Sequence, residues 1–178
     1  MTKAKEIFFC LILYSLLALL LITGALRKVH YVSSAMINEP FPEFAKYNLL
    51  DLTQVVSKKD LVGKVSLVVV WSSWCKECVA EFTFLAKLID ARDFYFVGLN
   101  FRDDRGDAIS FLNENGNPFR INIFDPTGNL GRDIGAYDVP EAYILDKDAI
   151  VRYKIVYPLT KDIFNEKIKP LINYLNED

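Results

Sequence analysis

Val65-Ser66-Leu67-Val68-Val69-Val70-Trp71, running straight into Ser72-Ser73-Trp74-Cys75-Lys76-Glu77-Cys78, decides how this chain folds. The first run is apolar, β-branched and without alternation, as in a strand buried on both faces at the centre of a sheet. After it, Phe82, Leu85, Ala86 and Ile89 recur at helical spacing over Glu77 to Asp90. Cys75 therefore stands at a helix N-terminus, where unpaired backbone N–H groups and the helix dipole stabilise a thiolate. Cys78, one turn on, lies on the same side and can resolve a mixed disulfide formed at Cys75. The spacing supplies both attack and release.

Two other readings compete with this one. A zinc site needs about four ligands, and besides the pair the chain offers only Cys10, within an apolar stretch, and His30. A purely structural disulfide would close so small a ring that it constrains the unfolded chain little. Redox exchange is the reading the residues favour, with the Cys75–Cys78 pair as its own carrier and no cofactor expected.

With 178 residues, 25% charged and 52% hydrophobic, the chain has room for one ordinary domain and an appendage. Its net charge of −2 is spread over interspersed acids and bases, which argues against a nucleic-acid surface. Ile7 to Leu26 is an uncharged apolar run, long enough as a helix to cross a bilayer and longer than the roughly 7 to 15 apolar residues of a cleaved signal. The expected layout is a cytoplasmic N-terminus over 1–6, a transmembrane anchor over 7–26, a tether over 27–43 and a folded domain over 44–178. Lys3 and Lys5 face Arg27 and Lys28 across the run, so charge alone does not orient it. An anchor or a signal would equally send the domain into a compartment where disulfides persist.

Along the domain, Asn48 to Val56 reads as extended and Phe94 to Leu99 as a second buried strand. Arg105 to Asn115 reads as a helix stopped by Gly116-Asn117-Pro118, and Ile121 to Phe124 as a short strand before an Asp125-Pro126-Thr127-Gly128 turn. Ala142 to Leu145 and Ile150 to Val156 form a hairpin. Thr160 caps a final helix to Leu175, with a kink expected at Lys169-Pro170. A parallel first half and an antiparallel second half make a mixed sheet of α/β class flanked by helices.

This order of elements, with Cys-x-x-Cys opening the first long helix and Val139-Pro140 before a later strand, resembles the thioredoxin fold. Trp71 to Cys75, Cys78-Val79-Ala80-Glu81, Gly98 to Arg105, Gly116 to Phe119 and Gly135-Ala136-Tyr137-Asp138-Val139-Pro140-Glu141 resemble the membrane-anchored thiol:disulfide interchange proteins of cytochrome c maturation, the CcmG or DsbE family. The resemblance covers about Pro40 to Leu175. It implies a single-pass protein of the bacterial inner membrane with its catalytic domain in the periplasm. There it would reduce the haem-attachment Cys-x-x-Cys-His disulfide of apocytochrome c, or a CcmH-type partner carrying it. Electrons would come from a DsbD- or CcdA-type membrane donor, and no haem is expected to bind. By residue, Cys75 is the nucleophile, Cys78 the resolving thiol and Pro140 a cis-proline facing the disulfide. Glu81 and Glu141 are acidic groups beside the site, and Trp74, Val139 and Tyr137 are expected to meet the substrate.

Two departures from the family pattern bear on the chemistry. Lys76 stands where a proline commonly follows the first cysteine, and Val69 where a buried Asp or Asn is usual, so a proton relay from that position is absent. Glu77, Glu81 and Glu141 together disfavour the Cys75 thiolate while Lys76 opposes them, so a moderately reducing pair is expected. Asp103 and Asp104 read as a solvated loop. A general periplasmic reductase of TlpA or ResA-like type and a non-catalytic anchored binding module are the competing functions.

Overall fold

Buried on both faces, Ser66–Trp71 is the middle strand of a five-stranded sheet. In chain order the strands are β1 (Ala45–Tyr47), β2 (Val55–Ser57), β3 (Ser66–Trp71), β4 (Tyr95–Phe101), β5 (Ile121–Asp125), β6 (Glu141–Leu145) and β7 (Val151–Ile155). The sheet runs β5-β4-β3-β6-β7, with β3, β4 and β5 parallel and β6 and β7 antiparallel to their neighbours. This is the mixed sheet that the order of elements predicts. The segment expected to be extended over Asn48 to Val56 instead turns between β1 and β2, which pair as an antiparallel hairpin. Side-chain acceptors win over extension there: Asn48 accepts the Leu50 N–H and Asp51 the Thr53 N–H.

The computed structural model describes residues 2–25, 36–88 and 94–177, in two units, Met1–Val32 and Ser33–Asp178. In the first unit α1 spans Thr2–Ala25, and Leu26 of the expected anchor lies outside the described residues. Among the described residues no helix is long and apolar enough to cross a membrane. Of the expected tether, 27–35 also lie outside the described residues. From Met36 the chain is part of the second unit: Asn38 N–H donates to Val151 O at 2.7 Å, Phe41 N–H to Ala149 O at 2.8 Å, and Phe41 is buried.

α2 (Lys76–Leu85) opens at the cysteine pair and passes into a tighter turn over Ala86–Leu88; Ile89 and Asp90, expected to continue it, are outside the described residues. α3 (Arg105–Asn115) is capped by Asp104, whose carboxylate accepts the Gly106 N–H at 2.7 Å and the Asp107 N–H at 3.3 Å. A short α4 (Asn129–Asp133), too brief for periodicity to announce, follows the Asp125–Gly128 turn. The C-terminal helix starts at its Thr160 cap and is α-helical over Lys161–Ile163, π-helical over Phe164–Ile168 and α-helical again over Lys169–Glu177. Lys169 N–H bonds Phe164 O across that wide turn, immediately before Pro170. Pro170 has no N–H to give and its ring would crowd an ordinary helical carbonyl, so the expected kink takes the form of local widening.

Aromatic packing seats α2 and α3 against the sheet. The Trp71 ring of β3 lies 5.2 Å from Phe82 of α2 and 5.4 Å from Phe111 of α3. Phe119 closes the cluster, 6.2 Å from Trp71 and 5.3 Å from Phe82. Gly98 of β4 leaves room for it, because a Cβ there would stand 2.5 Å from the Phe119 ring. The end of β3 is thereby fixed against the start of α2, and the cysteines inherit that rigidity.

Candidate active site

Where β3 ends and α2 begins, Cys75 is itself the helix cap: its backbone is extended and its Sγ accepts the Cys78 N–H at 3.1 Å. Cys75 and Cys78 are joined as a disulfide. Cys78 is fully enclosed and Cys75 is 3% exposed, so Cys75 is the sulfur an incoming group meets first. It opens on a groove of about 460 Å³ whose walls are Trp74 to Glu77, Asp138 to Glu141 and Val156 to Pro158. The Val139–Pro140 peptide bond in that wall is cis.

The loop before Cys75 is clamped by Asp103. Its carboxylate accepts the Ser73 N–H and Ser73 hydroxyl, each at 2.6 Å, and the Asn100 side-chain N–H at 2.8 Å. Trp74 is pinned alongside by its indole N–H, which donates to Arg102 O at 3.1 Å while the side chain stays 54% exposed. Asp103 is 9% exposed and braces the fold rather than standing in a solvated loop as expected, whereas Asp104 is exposed and caps α3. The sheet places Asn100 and Trp71 in register on β4 and β3, which brings the two loops together, and no local pattern encodes that register.

The acidic residues divide by environment. Glu81, 2% exposed, does not line the groove; its Oε1 accepts the Leu159 N–H at 2.9 Å, holding the segment that follows the groove wall Val156 to Pro158. Burial, partly offset by that hydrogen bond, pushes its carboxyl up to about 7. Glu141 does line the groove, and its Oε2 meets Lys154 Nζ at 2.9 Å and the Tyr143 hydroxyl at 2.9 Å. Its Oε1 accepts the Tyr137 N–H at 3.3 Å. Three carboxylates against one ammonium is therefore not the local balance: Lys154 answers Glu141, and Glu81 titrates near neutrality.

Cys75, Trp74, Val139, Pro140 and Glu141 are gathered on the groove, whereas Cys78 and Glu81 sit behind it and Tyr137, 83% exposed, stands outside its lining. Val69 is enclosed in the β3 interior with no polar group to offer. Lys154, Tyr143 and the Val156 to Pro158 wall were not visible in the sequence. Lys154 sits in a strand whose alternation marks it as an ordinary polar position, and only its pairing with Tyr143 across β6 and β7 carries it inward.

Residues 36–168 match the Redoxin family. The chain is similar to proteins named thiol:disulfide interchange protein DsbE. One, from Pseudomonas aeruginosa, is 35% identical over 93% of this chain and 92% of its own length. Another, from Allochromatium vinosum, is 33% identical over 96% of this chain and 94% of its own length. Among solved structures, a DsbF homologue from Corynebacterium diphtheriae superposes with a TM-score of 0.65 at 22% identity, covering 81% of this chain and 96% of that one. That likeness speaks for the thioredoxin-like fold alone.

Proposed function

Because the chain belongs to the DsbE family of thiol:disulfide interchange proteins within the redoxins, we propose that this thiol:disulfide oxidoreductase works as a reductant in cytochrome c maturation. The observation that carries the reading is the pairing, in one groove, of a slightly exposed Cys75 sulfur with the cis Val139–Pro140 wall, while Cys78 waits enclosed behind it.

In this reading the reduced Cys75 thiolate, stabilised at the α2 N-terminus, attacks one sulfur of a client disulfide and expels the other as a thiolate. A client segment lies extended along Val139, whose backbone carbonyl accepts a strand-like hydrogen bond while its N–H is held by Asp138, with Trp74 and Tyr137 flanking it. Cys78 then loses its proton and attacks Cys75, releasing the reduced client and restoring the disulfide seen here. Glu81, one turn on from Cys78 along α2 and with its carboxyl raised to about 7, is the acceptor we assign to that proton. The cysteine pair is the whole electron carrier. The client is the haem-attachment disulfide of apocytochrome c or a CcmH-type partner bearing it, and a DsbD- or CcdA-type membrane protein re-reduces the pair. A single N-terminal span anchors the chain in the bacterial inner membrane with the domain in the periplasm. Deleting the gene and restoring it as Cys75→Ser tests the assignment: holocytochrome c should stay low and recover when a small dithiol is added to the medium. Normal cytochrome c with the serine variant would refute it.

A further inference from the structure

Lys154 is a buried charge at this site that neither the motif nor the chemistry above uses, and its placement is costly unless it serves something. Its side chain is 4% exposed and that of Glu141 6%, so both charges have been taken out of water, a loss that an isolated ion pair regains only with further hydrogen bonds. Those bonds are present. Lys154 Nζ donates to Gly135 O at 2.7 Å as well as to Glu141, and lies 5.3 Å from the Tyr143 ring centre and 5.8 Å from that of Tyr137. Tyr143 donates its hydroxyl to Glu141, and burial first, then the Glu141 charge, hold that phenol protonated far above the usual range. The two ends of the loop that carries the cis-proline, Gly135 and Glu141, are thus tied to a single ammonium on β7.

We infer that Lys154 is a positioning residue for the disulfide exchange: it cancels the Glu141 charge beside the cysteine pair and locks the Gly135 to Glu141 loop, so that Glu141 holds the client wall without biasing the thiolate. The inference rests on the proposed thiol chemistry and deepens it. The charged groups around the sulfurs are Lys76 and Glu77 from α2, Asp138 and Glu141 from the cis-proline loop, Glu81 behind, and Lys154 with Tyr143 from the sheet. Of these, only Glu141 has a buried counter-charge of its own. A bare carboxylate in the groove wall raises the pH at which a nearby thiol ionises, a bare ammonium lowers it, and a closed pair does neither.

The test is the pH profile of Cys75 modification by iodoacetamide in the reduced full-length chain, read by mass spectrometry, for wild type, Lys154→Met, Lys154→Arg, Glu141→Gln and the Lys154→Met/Glu141→Gln double variant. The midpoint should rise by about one pH unit in Lys154→Met and fall by about the same in Glu141→Gln. In the double variant and in Lys154→Arg it should return close to wild type. A purely structural role gives no such opposite signs. Equal midpoints in all five proteins, or shifts of one sign in both single variants, overturn the inference. Should Lys154→Met fail to fold, Glu141→Gln and the double variant decide it: the midpoint must fall in the first and return to wild type in the second, and equal midpoints in the two overturn the inference. Absence of any reversible Cys75–Cys78 disulfide in wild type would instead overturn the proposed function beneath it.

Discussion

Glu81 on α2 holds the backbone N–H of Leu159 at 2.9 Å, spanning 78 positions of sequence to tie the redox helix to the segment after β7. A carboxylate 2% exposed with that single backbone partner ionises with difficulty, which is why its carboxyl sits at about 7 rather than the ordinary 4.5. The same bond braces the segment that follows the groove wall.

Stability should follow that titration. A carboxyl whose folded pKa is raised binds its proton more tightly in the native state, so its contribution is complete below pH 4.5 and is lost as pH climbs through about 7. The loss from this group amounts to about 3 kcal/mol at most. Urea unfolding of the oxidised chain at pH 5 and pH 8 should show it, and Glu81→Gln should flatten the difference. An unchanged pH dependence in Glu81→Gln would show that Glu81 does not carry it.

Asp103 carries more of the site than a solvated loop residue would. Asp103→Ala strips Ser73 and Asn100 of their common acceptor and should cost about 2 to 3 kcal/mol, while slowing Cys75 attack on a model disulfide because Trp74 and Ser73 lose their brace. Chemical denaturation and stopped-flow thiol exchange measure the two effects. A loss below about 0.5 kcal/mol would return Asp103 to the ordinary surface.

Gly98→Ala should destabilise the domain by about 1 to 3 kcal/mol, since the added methyl meets the Phe119 ring at 2.5 Å within the Trp71 cluster. Thermal unfolding reads the loss. Combining it with Phe119→Leu should return part of it, and no rescue would mean the strain lies elsewhere.

What the sequence showed and hid divides along the range of the interaction involved. The buried β3 run, the placing of Cys75 at a helix start, the Arg105 to Asn115 helix and the Thr160 cap depend on neighbours in sequence, and all were legible. The hairpin at Asn48 was missed because its polar side chains close a turn that a mean of local preferences reads as extended. Asp103 with Ser73, Glu81 with Leu159 and Glu141 with Lys154 are contacts between strands or loops far apart in the chain. Residue types alone therefore counted Glu141 as a free acid, whereas its register opposite β7 gives it a counter-ion.

In the proposed exchange Cys75 attacks and Cys78 releases, with a haem-attachment disulfide as the client. Mixed-disulfide trapping addresses it most directly: the reduced Cys78→Ser chain is offered an oxidised Cys-x-x-Cys-His peptide and, separately, an unrelated peptide disulfide. An adduct through Cys75 should form faster with the haem-attachment peptide and be absent in Cys75→Ser. Equal rates with both peptides would contradict the client assignment, and an adduct through any other residue, or none at all, would contradict the mechanism.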